Sequence, residues 1–330
     1  MSALLDRHGR VATDLRISLT DRCNLRCSYC MPAEGLEWMP SSEILDAAEV
    51  VRLIGIGVDH LGVTTVRLTG GEPLVRRGLV DIVDRIRRQH PSLELSMTTN
   101  GIGLARMAAA LATAGLDRVN VSLDTIDRAA YAAMTRRDRL ADVLRGLEAA
   151  QAAGLTPIKI NAVLMRDANV HQAGDLLRWA MRHGYQLRFI EQMPLDAQHH
   201  WDREQFVTAG ETQEILGRQF TLSPAAQPRG SAPAELYLVD GGPETVGIIA
   251  SVSAPFCGAC NRVRLTADGQ VRTCLFAREE SDLRAALRGG AGDLEIAERW
   301  RTAMWGKPAG HGMDRADFVQ PERPMSAIGG

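Results

Sequence analysis

The sequence predicts an α/β fold: an open or partial barrel of six β/α units, followed by a smaller C-terminal module. Three observations carry this. Strand-like and helix-like patterns alternate six times along the first two thirds of the chain, almost every strand has one apolar and one polar face, and the rhythm breaks near residue 195.

The strand-like runs are 14–19 (DLRISL), 64–69 (TTVRLT), 93–99 (LELSMTT), 118–123 (RVNVSL), 156–164 (TPIKINAVL) and 185–191 (YQLRFIE). Helical periodicity falls between them near 42–56, 77–89, 103–114, 127–153 (broken) and 171–183. Serial β-then-α units imply parallel strands with right-handed crossovers. A sheet covered on both faces would read as continuous apolar runs. Here Leu15, Ile17 and Leu19 oppose Arg16, Ser18 and Thr20, and Val66 and Leu68 oppose Thr65, Arg67 and Thr69. Leu95 and Met97 oppose Ser96 and Thr98, Val119 and Val121 oppose Asn120 and Ser122, and Ile158 and Ile160 oppose Lys159 and Asn161. Helices outside and a wet, ligand-filled interior explain this alternation. The apolar interior of a packed eight-stranded barrel does not.

The chain divides on this reading into a barrel over 1–194 and a C-terminal module over 195–330. Residues 221–235 (TLSPAAQPRGSAPAE) read as a loop or linker, with strands at 236–239 and 245–250. A hairpin over 262–275 turns at Asp268-Gly269, and helices follow near 279–288 and 294–305. The first ten residues match no pattern.

A net charge of −2 over 330 residues argues against a general nucleic-acid binder. No apolar run is long enough to span a bilayer, and the charged N-terminus lacks the apolar core of a signal peptide, so the cytoplasm is expected.

The six cysteines form two sets with none left over. Disulfides suit short secreted chains better than a long intracellular one. Cys23, Cys27 and Cys30 form a C-x3-C-x2-C triplet in the loop after the first strand, where parallel β/α folds place active sites. Three thiolates suit a [4Fe–4S] cluster with one iron left for a cofactor, since an electron-carrying cluster normally has four cysteines. Zinc with a distant ligand such as His60 or His90 is the competing reading. Cys257, Cys260 and Cys274 repeat the pattern as C-x2-C-x13-C, for a second cluster or for zinc with His311. Gly70-Gly71-Glu72-Pro73 follows the second strand, where glycines let a ligand approach the backbone and Glu72 offers an acceptor for an ammonium group.

The chain has only two lysines, Lys159 and Lys307, so a Lys within a strand needs a reason. Lys159 points inward with Arg16 and Arg67, and Arg262 and Arg264 share a face beyond the second cysteine set. Such cations are costly to bury without anionic partners. Internal ion pairs with Glu94, Asp124 or Glu191 are one answer; a polyanionic substrate such as a nucleoside triphosphate is the other.

The segments TDRCNLRCSYCMP, VRLTGGEPLVRR, TTNG, VNVSLD, IKIN, FIEQMP, FCGACNRVRLTADGQVRTCL and SAIGG together resemble the GTP 3′,8-cyclase family, also called molybdenum cofactor biosynthesis protein A, from about residue 11 to Gly330. The resemblance implies an incomplete (β/α)6 barrel of the radical S-adenosylmethionine (SAM) type, closed laterally by a C-terminal module carrying a second [4Fe–4S] cluster. Cys23, Cys27 and Cys30 would hold the SAM-cleaving cluster, with Tyr29, Gly71, Ser122 and Met193 contacting SAM. Cys257, Cys260 and Cys274 would hold the other cluster, facing the guanine of GTP. Arg16, Arg67, Thr98, Lys159, Arg262, Val263 and Arg264 match GTP-contacting positions, with Val263 acting through its backbone, and the Gly329-Gly330 tail would reach into the active site. The implied reaction is removal of hydrogen from C3′ of GTP by a 5′-deoxyadenosyl radical, then attack on C8 to give a cyclised dihydroguanosine triphosphate. Implied partners are a reductant protein such as flavodoxin or ferredoxin and a downstream cyclic pyranopterin monophosphate synthase, with the chain a monomer or homodimer. Two rivals remain: a radical SAM peptide-modifying maturase with an auxiliary cluster, and a non-catalytic iron–sulfur or zinc protein.

Overall fold

Six parallel strands and their helices form the first two thirds of the chain in the computed structural model, which describes residues 3–313, 315 and 318–329. In order these are β1 (Asp14–Ser18), α1 (Ala47–Leu61), β2 (Thr65–Thr69), α2 (Leu79–Gln89), β3 (Glu94–Thr99), α3 (Leu104–Thr113), β4 (Arg118–Ser122), α4 (Arg128–Thr135), α5 (Leu140–Ala152), β5 (Lys159–Val163), α6 (Ala173–Arg182) and β6 (Gln186–Ile190). Their pairing follows chain order, β1 to β6. The break in the fourth helical stretch is real: Arg136 adopts a left-handed φ of 55° at the end of α4. The first helix starts later than its periodicity predicts, because Asp46 and Glu49 form a reciprocal capping box that fixes its N-terminus.

The strand alternation sorts the molecule into an apolar shell and a polar interior. Leu15, Ile17, Val66, Leu68, Leu95, Met97, Val119, Val121, Ile160, Leu187 and Phe189 are buried in one core with the inner faces of the helices. The opposite residues of the same strands line the concave side.

The rest of the chain comprises α7 (Ala209–Gly217), β7 (Leu222–Pro224), β8 (Glu235–Val239), β9 (Thr245–Ile249), β10 (Arg262–Leu265), β11 (Gln270–Arg272), β12 (Ser281–Asp282), α8 (Arg284–Arg288), α9 (Asp293–Trp305) and α10 (Met325–Ile328). It does not stand apart as a separate layer. Its strands extend the barrel sheet at both edges, β10 parallel to β1 and β9 parallel to β6, giving 12 strands in all among the described residues. The hairpin turns at Asp268-Gly269 as predicted, with Gly269 at φ 79°. The stretch 221–235 is not loop throughout: Leu222–Pro224 pairs with β8 as a short edge strand, where a proline is tolerated because its missing N–H faces outward. Helix α7 was not foreseen; Thr208 and Glu211 cap it by the same reciprocal box as α1. Among the described residues no helix is long and apolar enough to cross a membrane.

Candidate active site

The first cysteine triplet lies in the loop that leaves β1, held from three sides. Gly71 N–H donates to Thr20 O at 2.8 Å and Glu72 N–H to Arg22 O at 2.8 Å, so the turn after β2 pins the start of the loop. From the other side Arg26 N–H donates to Thr135 O and Ser28 N–H to Met134 O, at the end of α4. Cys30 N–H and Met31 N–H both close onto Cys27 O. Asn100 Nδ2 and Leu25 N–H approach the Cys23 sulfur at 3.9 and 3.5 Å, donors that favour a thiolate. In the protein alone, burial pushes the Cys23 thiol up to about 11 and Cys30 up to about 12, with neighbouring thiols adding to both Cys27 and Cys30. Bound iron would stabilise the three thiolates against this burial.

Glu72 is only 1 % exposed and is used within the protein. Thr99 Oγ1 and Asn100 N–H each donate to it at 2.6 Å, and Leu74 N–H at 2.9 Å. It organises the loop after β3, and three donors leave its two oxygens with acceptor capacity to spare. Burial raises its carboxyl to about 7 against those donors. Gly71 is required by packing: a Cβ there would lie 2.3 Å from Asp21 O and 2.4 Å from Arg22 O. Tyr29 donates its hydroxyl to Asp124 at 2.8 Å, and Asp124 also accepts from Val163 N–H. Ser122 lies at the end of β4, beside Asn161 of β5.

The second triplet and the inward arginines share one cavity. Arg16, Arg67, Arg188, Arg262 and Arg264 line it together with Cys257, Cys260 and Cys274, and Thr98 and Met193 also reach it. In register, Arg264 stands opposite Arg16, and Arg16 opposite Arg67. Among the described residues only Arg16 has a carboxylate nearby, Asp14 at 3.8 Å. The alternative ion pairs are taken up elsewhere: Glu94 pairs with Arg118, Asp124 with Tyr29, and Glu191 accepts from Ala209, Val252 and Ser253. Burial and mutual repulsion drive Arg67 down to about 9 and Arg188 to about 10, and Arg264 well below its ordinary value. Arg188 is the residue that the candidates missed, although Leu187 and Phe189 on either side are buried and put it on the polar face.

Lys159 neighbours the cavity wall. Its Cα pairs with Asn120, a wall residue, and burial with the charges of Arg188, Arg118 and Arg67 lowers its ammonium to about 7. The Val263 side chain is fully buried in the apolar core, so only its backbone is left for a ligand. Arg262 stacks over Phe256 at 4.7 Å. Burial would raise the Cys260 thiol, but Arg262 and Lys307 overcome it and bring it to about 6.

The C-terminal segment passes between the two triplets. Ser326 N–H donates to the Cys30 sulfur, Ser18 Oγ donates to Ile328 O at 2.9 Å, and Arg264 donates to Gly329 O. A Cβ on Gly329 would lie 2.4 Å from Ser18 Oγ and 2.6 Å from Thr69 Cγ2, which only a glycine avoids. Gly330 lies outside the described residues. His90 sits beside Asp59 of α1, so the sequence's zinc alternative for the first triplet finds no support from it. His311 lies at the second triplet, its N–H donating to the Cys257 sulfur. Among the described residues no three His, Cys, Asp or Glu side chains converge as a single metal ion would require.

Residues 17–180 match the radical SAM superfamily, and residues 185–313 match Molybdenum Cofactor Synthesis C. The GTP 3′,8-cyclase of Streptomyces coelicolor is 63 % identical over 99 % of this chain and 96 % of its own length. That of a Mycobacterium species (strain KMS) is 62 % identical over 99 % of this chain and 93 % of its own. Among solved structures, SuiB of Streptococcus suis superposes with a TM-score of 0.61 at 14 % identity, covering 96 % of this chain and 77 % of that one, a likeness of fold. With the cysteine triplets, the barrel and near-complete coverage by these relatives, the chain belongs to the GTP 3′,8-cyclase family of radical SAM enzymes.

Proposed function

We propose that this chain converts GTP to (8S)-3′,8-cyclo-7,8-dihydroguanosine 5′-triphosphate, an early step of molybdenum cofactor biosynthesis. The observation that carries this reading is the row of buried and half-buried arginines that shares a cavity with Cys257, Cys260 and Cys274, of which, among the described residues, only Arg16 has a carboxylate within 4 Å. Unpaired buried cations are unfavourable alone and become favourable around a triphosphate.

Cys23, Cys27 and Cys30 fit the SAM-cleaving cluster: as thiolates they would repel one another without a bound cation, and N–H donors stand beside Cys23. Bound there and reduced, such a cluster would supply the electron for reductive cleavage of SAM to methionine and a 5′-deoxyadenosyl radical. Tyr29, Gly71, Ser122 and Met193 are the proposed SAM contacts. Cys257, Cys260 and Cys274 fit a second [4Fe–4S] cluster by the same donor chemistry. Arg16, Arg67, Arg188 and Arg264 hold the phosphates, with Thr98, Lys159, Arg262 and the Val263 backbone placing the nucleoside. Ile190, Ile249, Phe256 and Phe276 on the wall exclude water from the reacting atoms. Gly329 stands beside Ser18, Thr69 and Arg264, and the Gly329-Gly330 tail is proposed to act in the active site. An electron donor such as flavodoxin or ferredoxin, a downstream synthase and a cytoplasmic setting belong to the same proposal.

An anaerobic assay of reduced, iron-loaded protein tests it. With SAM present, GTP should promote 5′-deoxyadenosine formation and be consumed. If a peptide promotes it and GTP does not, the cyclase reading is wrong; if the protein carries zinc without sulfide, the cluster reading is wrong.

A further inference from the structure

Lys307, the chain's second lysine, follows α9 and is only 2 % exposed. Its Nζ donates to Arg262 O at 2.7 Å and lies 3.4 Å from the Cys260 sulfur and 3.5 Å from Cys260 O. No carboxylate pairs with it among the described residues. An ammonium taken out of water needs an anion, and carbonyl oxygens alone do not balance it. Among the described residues, the anionic atom within reach is the Cys260 sulfur.

The segment bearing Lys307 is itself held to the cysteine loop. Arg10 donates to Pro308 O at 2.6 Å, to Ala309 O at 3.0 Å and to Cys257 O at 2.8 Å, while Asp6 anchors its Nε at 2.6 Å. The N-terminal residues that carried no recognisable pattern thus form a clasp around the second triplet. They leave the Lys307 ammonium little freedom to turn away from Cys260.

We propose that Lys307 is a positioning residue of the second triplet: it donates a hydrogen bond to the Cys260 thiolate and raises the reduction potential of the iron–sulfur cluster held there. This rests on the reading that the second triplet binds a cluster. One-electron reduction adds a negative charge to the cluster, and a fixed neighbouring cation favours that more negative state. Because the same ammonium grips the Arg262 carbonyl, it also fixes the strand whose arginine side chains line the substrate cavity.

The test uses the full chain with Cys23, Cys27 and Cys30 changed to Ser, so that any iron signal belongs to the second set. Iron, sulfide and zinc are measured first, then the cluster is reduced stepwise with dithionite and followed by electron paramagnetic resonance. K307M should lower the reduction equilibrium constant about tenfold, which is about 59 mV for a one-electron couple. K307R, which keeps the charge, should stay within about threefold of the parent. If K307M holds no cluster, K307Q is titrated in its place, with the same expected shift. A shift under about threefold in the neutral variant overturns the proposal, as does a K307R shift equal to that of the neutral variant. A parent that binds zinc without sulfide overturns the cluster reading and this inference together, whereas an intact cluster with an unmoved potential overturns the role of Lys307 alone.

Discussion

Arg16 on β1 and Arg264 on β10 stand in register on the same face of the sheet, a half-buried guanidinium beside a buried one. The pairing joins the barrel to the C-terminal strands, so the substrate cavity exists only because β10 adds itself to the edge of β1. Arg67 continues the row on β2. Repulsion within the row weakens the free protein and is relieved by a bound polyanion.

Replacing Arg67 with Met should therefore separate stability from binding. The thermal midpoint of the ligand-free protein should hold or rise, because a repelled, desolvated cation is removed. GTP affinity should fall about 10- to 100-fold, the loss expected for charge-assisted hydrogen bonds. Calorimetry and anaerobic equilibrium binding check the two halves, and a fall in stability with unchanged affinity would assign Arg67 a structural role.

Lys159 predicts a pH dependence. Its ammonium is depressed to about 7 in the free protein by burial and by Arg188, Arg118 and Arg67. A bound triphosphate favours the charged form and raises that value, so binding takes up a proton above pH 7. Affinity should be highest below about pH 7 and weaken as pH rises toward the bound-state value, by at most about tenfold per unit. GTP affinity measured between about pH 7.5 and 9 should show this slope in the parent and lose it in K159M.

Much of this site was legible in the sequence, for a physical reason. Strand parity alone assigns Arg16, Arg67, Thr98 and Asn161 to the interior, because a period of two fixes the face of every residue once the apolar one is known. Applied to β6, the same parity yields Arg188. Cysteine spacing gave the two triplets. Parity did not reveal that Glu72 accepts from Thr99 and Asn100 of the loop after β3, because that depends on contacts distant in sequence. The clasp of Arg10 on Pro308 and Cys257, which spans almost the whole chain, has no local pattern at all. Nor did the change of rhythm near 195 show that the last third would extend the barrel sheet at both edges.

Gly71→Ala tests the bracing of the first triplet. Its Cβ would meet Asp21 O and Arg22 O well inside contact distance, so the loop backbone must move. SAM cleavage should fall by about 100-fold or more, in line with misplacement of a reacting group. GTP binding at the arginine cavity should change by less than about threefold, since cavity and loop are separate. Deoxyadenosine formation and GTP binding measured on the same preparation distinguish these effects.

Arg10→Ala removes the donor to three carbonyls and leaves Asp6, 1 % exposed, without its partner. Stability should fall by about 3–5 kcal/mol, as for other broken buried ion pairs. Iron at the second triplet should be lost preferentially while the first triplet keeps its own. Iron and sulfide counts, compared with a variant lacking Cys257, Cys260 and Cys274, check the order of loss.

The central claim is that the radical made at the first triplet attacks the ribose of a GTP held by the arginines. GTP carrying deuterium at C3′ tests it most directly, with 5′-deoxyadenosine analysed by mass spectrometry after anaerobic turnover. One deuterium should appear in the deoxyadenosine, and the cyclised product should have lost it. Deoxyadenosine formed without deuterium while GTP stays intact would contradict the claim.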